Sequence, residues 1–500
     1  RTFSSDQING AYYRSSLISA QVDWRFKPVE LRFIGSDQRA DGEGYHDFDQ
    51  TELPLLLANS RNQPSEQRTA EFQILSTPDS PFGDRLEWVA GLFYLEGFGG
   101  FDPLRFKVAP DAFNAAGLPP VTALVLNTLL DAAFVAAGLP PFSQGVTAHT
   151  SGIIEYQSYS AFAQGTYTLV PERLHLTLGA RYQSEERGLS KSNLAVVLDD
   201  GTEIVVRDDK KPIDYAPDLT AKQLSPRVAL RWNPGGGDSQ IFSSYSRGYK
   251  SPTYNTVNVT DRPDPVKEEK VDAYELGFKT RLLDSTLRLN GAVFYTEQED
   301  VLTGFVSITS GGIVSYQNAG ETEIKGAELD FLWVPMPELN PGLVLTGSGT
   351  LLDAEYVSYP NGPGFDEATG LAYGPGSTTP LPPRDLSGNR VVRTPKRSYN
   401  LGFNQRFDFG DSAIEIGADL AHSSSFFFLP QNSDEYARAA NTVVDARISY
   451  FYTPWQIQLT AFGRNITDEE YVESNFSVEW GSARTLNAPR VFGAGIKWTF

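Results

Sequence analysis

Apolar and polar residues alternate with a period of two along much of this chain. Leu174, Leu176, Leu178, Ala180 and Tyr182 alternate with His175, Thr177, Gly179, Arg181 and Gln183. Tyr274, Leu276 and Phe278 alternate with Glu275, Gly277 and Lys279; Ile457, Leu459 and Ala461 alternate with Gln456, Gln458 and Thr460. From Leu287 to Thr296 the same rhythm holds, with Phe294 the one residue out of step. Alternation of this kind predicts strands wetted on one face only. A soluble sandwich or propeller alternates too, so the pattern alone leaves the setting open.

The connections are more telling. Pro, Gly or Asp mark tight turns at Lys27-Pro28, Val170-Pro171-Glu172, Asn233-Pro234-Gly235, Leu283-Asp284, Gly410-Asp411 and Thr453-Pro454. Between them lie long polar insertions at 39–65, 97–152, 189–221, 250–268, 300–313, 357–394, 425–439 and 468–484. Tight turns at one end and large loops at the other describe an outer-membrane barrel, whereas a sandwich has no reason to sort its loops. The expected fold is all-β, an antiparallel transmembrane β-barrel over residues 1–500 with about 17 strands. The first clear strand, near Arg14–Arg25, runs into a tight turn, so the odd count predicts earlier strands upstream. In the last strand Phe492, Ala494, Ile496, Trp498 and Phe500 face one way, as in a terminal strand read by barrel-insertion machinery.

Composition agrees. The 500 residues carry a net charge of −20, no Cys, one Met, four His, 23 Tyr and 31 Phe. No run of roughly 20 apolar residues exists, which excludes helical membrane spans. The acidic balance argues against nucleic acid, whose phosphates need Lys and Arg. The absence of Cys permits an oxidising compartment. Arg1 follows no initiator Met and opens no signal-peptide pattern, so any export signal is expected upstream.

Several segments, in a fixed order, resemble TonB-dependent receptors. Ser225-Pro226-Arg227-Val228-Ala229-Leu230 followed by Phe242–Pro252 (FSSYSRGYKSP) resembles the family's mid-barrel hairpin. Glu268–Lys279 (EEKVDAYELGFK) resembles its E-K-x-x-x-Y-E-x-G-x-K strand. Phe294-Tyr295 with Asp300, Asn318-Ala319-Gly320-Glu321, Lys325-Gly326-Ala327-Glu328, Phe462–Asp468 (FGRNITD), Tyr471 and Pro489–Gly493 (PRVFG) follow, and Leu86–Tyr94 (LEWVAGLFY) lies upstream. The resemblance covers roughly residues 14–500. It implies a parent barrel of about 22 strands, with the first five and the internal plug not represented in this sequence. It also implies a mechanism. A scarce ligand is bound in an extracellular vestibule, and the inner-membrane TonB complex pulls on the plug to open a path.

The candidate chemistry is sparse. His46, His149, His175 and His422 have no partnered nucleophile in view, so catalysis is not expected. No His accompanies Tyr249–Pro252, which disfavours haem. No cofactor or metal is assigned, although Asp199-Asp200 and Asp208-Asp209 leave calcium open as an alternative to solvated loop tips. Segment 97–152 is expected to be a long extracellular loop with short helices. Within it Ala112–Pro120 (AFNAAGLPP) and Ala133–Pro141 (AFVAAGLPP) nearly repeat, and Gly-Leu-Pro-Pro stops a helix at each copy. Leu124, Leu126, Leu129 and Leu130 need burial, which favours a self-packed cap over a partner-docking surface.

Candidate ligand contacts are Tyr359, Phe365 and Tyr373 in the Gly- and Pro-rich segment 356–395, and Phe426, Phe427 and Phe428 where a strand becomes a loop. Exposed aromatics of this kind stack on siderophores, sugars or aryl compounds. For Phe426–Phe428 the alternative is the outer aromatic girdle. The functional expectation is a cell outer-membrane receptor of a Gram-negative bacterium, taking up a scarce bulky ligand such as a ferric siderophore. Its partners are the TonB complex through the plug, outer-membrane lipid and lipopolysaccharide, and a small-molecule ligand. A plugless passive channel and a barrel subunit docking through loop 97–152 are the alternatives.

Overall fold

The computed structural model describes residues 10–47, 52–198, 200–209, 213, 216–235, 237–256, 264–307, 314–374, 380–479 and 481–499. One large antiparallel sheet of 19 strands dominates it. Two of these, Leu56–Ser60 and Glu203–Asp209, only prolong neighbouring positions, which leaves 19 − 2 = 17 positions around the wall. In chain order they are β1 (Gly10–Arg25), β2 (Val29–Asp47), β3 (Ser65–Ser76), β4 (Leu86–Val108), β5 (Val146–Val170) and β6 (Leu174–Val197). Next come β7 (Leu219–Trp232), β8 (Ser239–Lys250), β9 (Glu269–Leu282), β10 (Leu287–Glu299), β11 (Glu321–Trp333) and β12 (Leu343–Ser358). The set ends with β13 (Arg397–Phe409), β14 (Ser412–Ser423), β15 (Asn441–Tyr452), β16 (Ile457–Arg464) and β17 (Val491–Trp498).

Every strand pairs with the next in sequence. Connections alternate strictly between short and long. Gly410-Asp411 joins β13 to β14 in two residues, with Gly410 at φ +62°, a left-handed turn that a residue without Cβ adopts freely. Among the described residues no pairing joins β1 to β17. The sheet nevertheless curls, bringing loops of distant strands together: Thr122 Oγ1, between β4 and β5, donates to the Thr369 carbonyl, between β12 and β13.

Alternation sorts the two faces. Leu178, Leu276, Val293, Leu329, Leu401, Ile448 and Leu459 lie exposed on the outer face, as the lipid-facing band of a barrel requires. Tyrosines mark the long-loop end of that band. Tyr245 meets Tyr274 at 5.0 Å with its ring tilted, Tyr274 stacks on Tyr295 at 6.2 Å, and Tyr94 meets Tyr159 at 5.0 Å. Exposed Trp24, Trp232, Trp455 and Trp498 mark the short-turn end. Such paired girdles sit where headgroups meet hydrocarbon. In the last strand Phe492, Ile496 and Trp498 are exposed on that face, while Phe500 lies outside the described residues.

The expected loops at 39–65, 97–152 and 189–221 are too generous. β2 continues to Asp47, β4 to Val108 and β6 to Val197. Above the lipid neither face of a strand need be apolar, so alternation fades while pairing continues, as at Gln157↔Glu186 and Glu155↔Gly188. Backbone hydrogen bonds carry the ladder there, and periodicity no longer reports it.

Candidate functional site

A helical cap lies at the long-loop end of the wall. Its centre is α2 (Pro120–Ala136), preceded by the single turn α1 (Ala112–Ala115). The two near-repeats fold alike: Gly117 and Gly138 both take φ +75°, and the amides of Leu118 and Leu139 donate back to the carbonyls of Phe113 and Phe134. This is the Schellman way of ending a helix, with the following Leu buried in each copy. Phe142 lies between the two equivalent rings, 5.7 Å from Phe113 and 5.5 Å from Phe134. Asp131, the one charge on α2, accepts from the Ser143 amide at 2.7 Å and its hydroxyl at 2.8 Å.

One apolar core holds α2 across the mouth. Leu126 and Leu130 join Val108 at the end of β4 and Leu55, Leu371 and Val478 from three separate loops. A second tie lies beneath it, where buried Ser307 donates to Glu479 at 2.6 Å. Leu126 and Leu130 are thus buried as expected, but Leu124 is not: with Val121 and Val135 it forms an exposed apolar stripe along α2.

The aromatic ligand candidates have a different place from the one expected. Tyr359 is 1 % exposed, Phe365 and Tyr373 2 %, Phe426 7 % and Phe428 8 %. Tyr359 and Tyr356 sit 5.1 Å apart, and the Tyr359 hydroxyl bonds Thr303 at 2.9 Å and Gln317 at 2.7 Å. Phe365 lies between Phe305 and Tyr436, and Arg384 stacks 4.3 Å from the Tyr373 ring. Phe426 meets Phe428 edge-on at 5.2 Å. Only Phe427 keeps partial exposure, beneath the Arg390 guanidinium at 5.5 Å. The loops' own side chains cover the other five, where the expectation had them exposed. They are the interior of the loop layer. Burial raises the phenol pKa of Tyr359 and Tyr373 and pushes that of Tyr436 up to about 12.

Asp366 pins the loop that receives α2. Its carboxylate accepts from the amides of Ala368 and Thr369, the Thr369 hydroxyl at 2.9 Å, and Arg384 at 2.6 Å. The Arg384 hydrogen bond, then that of Thr369, holds the Asp366 carboxyl below its ordinary range. Thr369 in turn accepts the hydroxyl of Thr122 at the start of α2.

Below the cap, the inner face of the wall carries ion pairs and polar side chains. Arg187 meets buried Glu185 at 2.6 Å, Arg447 meets Asp419 at 2.9 Å, and Arg32 bridges Asp23 and Glu30. Arg181 lies over the rings of Phe93 and Phe162. These residues alternate with the lipid-facing ones, so the sequence signal for them was the polar half of each strand. His175, on the inner face, meets Thr168 at 3.2 Å; His149 pairs with Glu203 at 2.9 Å, and His422, which stacks on Tyr399, meets Thr442 at 2.8 Å. Among the described residues no three His, Asp or Glu side chains converge to hold a metal. Asp200 accepts from the Thr202 amide within its own turn; Asp199 and the Asp209 side chain lie outside the described residues.

Known proteins match this architecture. A family model described as TonB dependent receptor-like, beta-barrel, matches residues 2–466. The metal-pseudopaline receptor CntO of Pseudomonas aeruginosa (strain UCBPP-PA14) is 25% identical over 285 residues, 55% of this chain and 34% of its own length. Among solved structures, the ferric yersiniabactin uptake receptor FyuA of Yersinia pestis superposes with a TM-score of 0.67 at 14% identity, over 98% of this chain and 61% of its own. The siderophore receptor PiuA of Acinetobacter baumannii does so with 0.63 at 14% identity, over 99% and 65%. The chain thus spans about a third of the curated relative and under two thirds of both structures.

Proposed function

Because this chain belongs to the TonB-dependent receptor β-barrel family, whose members are outer-membrane proteins rather than enzymes, we propose that it forms the wall and cap of an uptake receptor. Its cargo is a scarce, bulky ligand of the metal–siderophore class, and its transport is energised by the TonB complex acting on a plug inside the barrel. The observation that carries this reading is the cap. An apolar core that α2 shares with loops following distant strands holds a helix over the mouth, as suits a receptor that retains its cargo until it is released. The ion-paired inner wall supplies a polar surface against which a plug packs. The names of its relatives direct attention to metal chelates.

The test is uptake of radiolabelled ferric siderophores by cells producing the full-length protein, with and without an uncoupler. Accumulation that stops when the proton-motive force collapses supports the proposal. Accumulation that continues unchanged supports the passive-channel reading instead. A further reading, docking of a partner protein, draws on the exposed stripe Val121, Leu124 and Val135; Leu124→Asp would then abolish co-purification of that partner and leave uptake intact.

A further inference from the structure

The inner face of β6–β10 carries a stripe of cations that hold no carboxylate. Leu178, Leu230, Leu276 and Val293 lie exposed on the outer face, so alternation turns Arg181, Arg227, Arg231, Lys279, Arg281 and Arg288 inward. From the row of Arg181 down to the short turns, the same face of these five strands bears a single carboxylate, Glu275. Among the described residues none of the six cations makes an ion pair. Elsewhere on the inner wall cations are matched: Arg32, Arg187, Arg406 and Arg447 each hold a carboxylate. Within the stripe, rings stand in for acids: Phe93 and Phe162 lie under Arg181, and Phe242 is 5.8 Å from Lys279. Arg227, Arg231, Arg281 and Arg288 are exposed.

Register makes the stripe continuous. Arg227 lies opposite Gly179, two residues below Arg181. Arg231 lies opposite Phe242, which pairs with Gly277, two residues above Lys279. Arg281 and Arg288 are direct cross-strand partners beside the turn between β9 and β10. With strands about 4.8 Å apart and a rise of about 3.4 Å per residue, no step exceeds about 14 Å. Like charges placed directly opposite destabilise a strand pair. An anion held between Arg281 and Arg288 relieves that repulsion.

We infer that this stripe is the conducting face for an anionic cargo, a metal chelate of net negative charge that passes from cation to cation toward the short-turn end. The inference rests on the uptake reading above and names the charge class of its cargo. That class follows from sign and continuity. A chain of net charge −20 repels anions, and a track of one sign gathers them along the wall. A surface built only to pack a plug would be matched pair by pair, as at Asp419 and Arg447.

The test uses cells that produce the full-length protein and lack other receptors for the probes. Three radiolabelled ferric chelates are supplied: a trianionic tris-catecholate, a neutral tris-hydroxamate and a cationic tris-hydroxamate. The expected result is accumulation of the tris-catecholate alone. Combining Arg231→Gln, Lys279→Gln and Arg288→Gln should slow it about tenfold, at equal receptor amount and with unchanged binding to de-energised cells. The charge-keeping set, Arg231→Lys with Arg288→Lys, should retain the wild-type rate. Accumulation of the neutral or cationic chelate by the wild type, or an undiminished rate in the Gln variant, overturns the inference and leaves the uptake reading standing. A Gln variant that becomes permeable to vancomycin overturns it too, by showing that these cations hold a plug in place. Accumulation of none of the three chelates sinks the uptake reading and this inference together.

Discussion

The ring of Phe294 lies over Gly326, its register partner on the adjacent strand, so closely that a Cβ on Gly326 would stand 2.3 Å from Phe294 Cζ. The relationship recurs around the wall. Phe162 covers Gly91, Phe242 Gly277, Phe278 Gly291, Phe331 Gly347, Phe462 Gly493 and Phe492 Gly463, each a directly paired couple. Glycine weakens a strand by leaving a gap and a floppy backbone, and a cross-strand aromatic ring repairs both. Gly326→Ala is expected to destabilise the barrel by about 1–3 kcal/mol through overpacking. Adding Phe294→Ala should recover part of that loss, a coupling that a double-mutant cycle of urea unfolding in lipid vesicles measures. Additive losses would mean that ring and glycine are not in contact.

Leu401 and Asn400 are neighbours in sequence on opposite faces of β13. Leu401 is exposed toward lipid, whereas Asn400 turns inward beside Ser348. Leu401→Arg places a charge in hydrocarbon and is expected to cost about 2–4 kcal/mol of folding free energy in vesicles. Asn400→Arg should stay within about 0.5 kcal/mol, as a wetted substitution does. Similar costs at both positions would contradict the assignment of faces.

The same contrast explains what could be read in advance. Wall strands were legible because lipid and lumen demand opposite side chains at successive positions, and the sorting of short and long connections gave their number. Phe294, the residue out of step in its strand, is so because it covers Gly326 on the inner face. The Gly-Leu-Pro-Pro copies were legible because the helix ends they make are local. The aromatic candidates were not: Tyr359 or Phe365 inside a loop layer reads the same as an exposed ligand contact until its cover is known. That cover comes from far away in sequence, as in the contact between Thr122 and Thr369, 247 positions apart. No local pattern encodes such a contact.

Leu126, fully buried in the cap, and Leu124, exposed on the same helix, separate cap stability from surface chemistry. Leu126→Ala leaves a cavity and is expected to cost about 2–5 kcal/mol. The loss falls mainly on the cap, since the wall strands meet that core only at their loop-side ends, as at Val108. Limited proteolysis should therefore cleave within 109–145 much faster in Leu126→Ala, with the barrel band intact on a gel. Leu124→Ala should leave the cleavage rate unchanged. Equal protection of both variants would show that α2 is held by something other than this apolar core.

Acid should loosen the cap through Asp366. Its carboxyl titrates below the ordinary value because Arg384 and Thr369 bind its charged form. A depressed folded pKa adds stability that is fully present above the unfolded carboxyl value and is lost as pH falls through the folded one. The loop should thus hold steady from neutral pH down to the usual carboxylate range and open only below it. The contribution is modest, since the Asp366 side chain is about a quarter exposed (23%) and solvent screens the ion pair. Hydrogen exchange at the Ala368 and Thr369 amides, both bonded to this carboxylate, reports the opening directly. Asp366→Asn should exchange faster at neutral pH and lose the acid-dependent rise. Because the Thr369 carbonyl also receives the hydroxyl of Thr122, exchange at the start of α2 should accelerate in step. A rise at residues 368 and 369 with no change in α2 would uncouple the two, and would show that the helix needs only its apolar contacts to stay across the mouth.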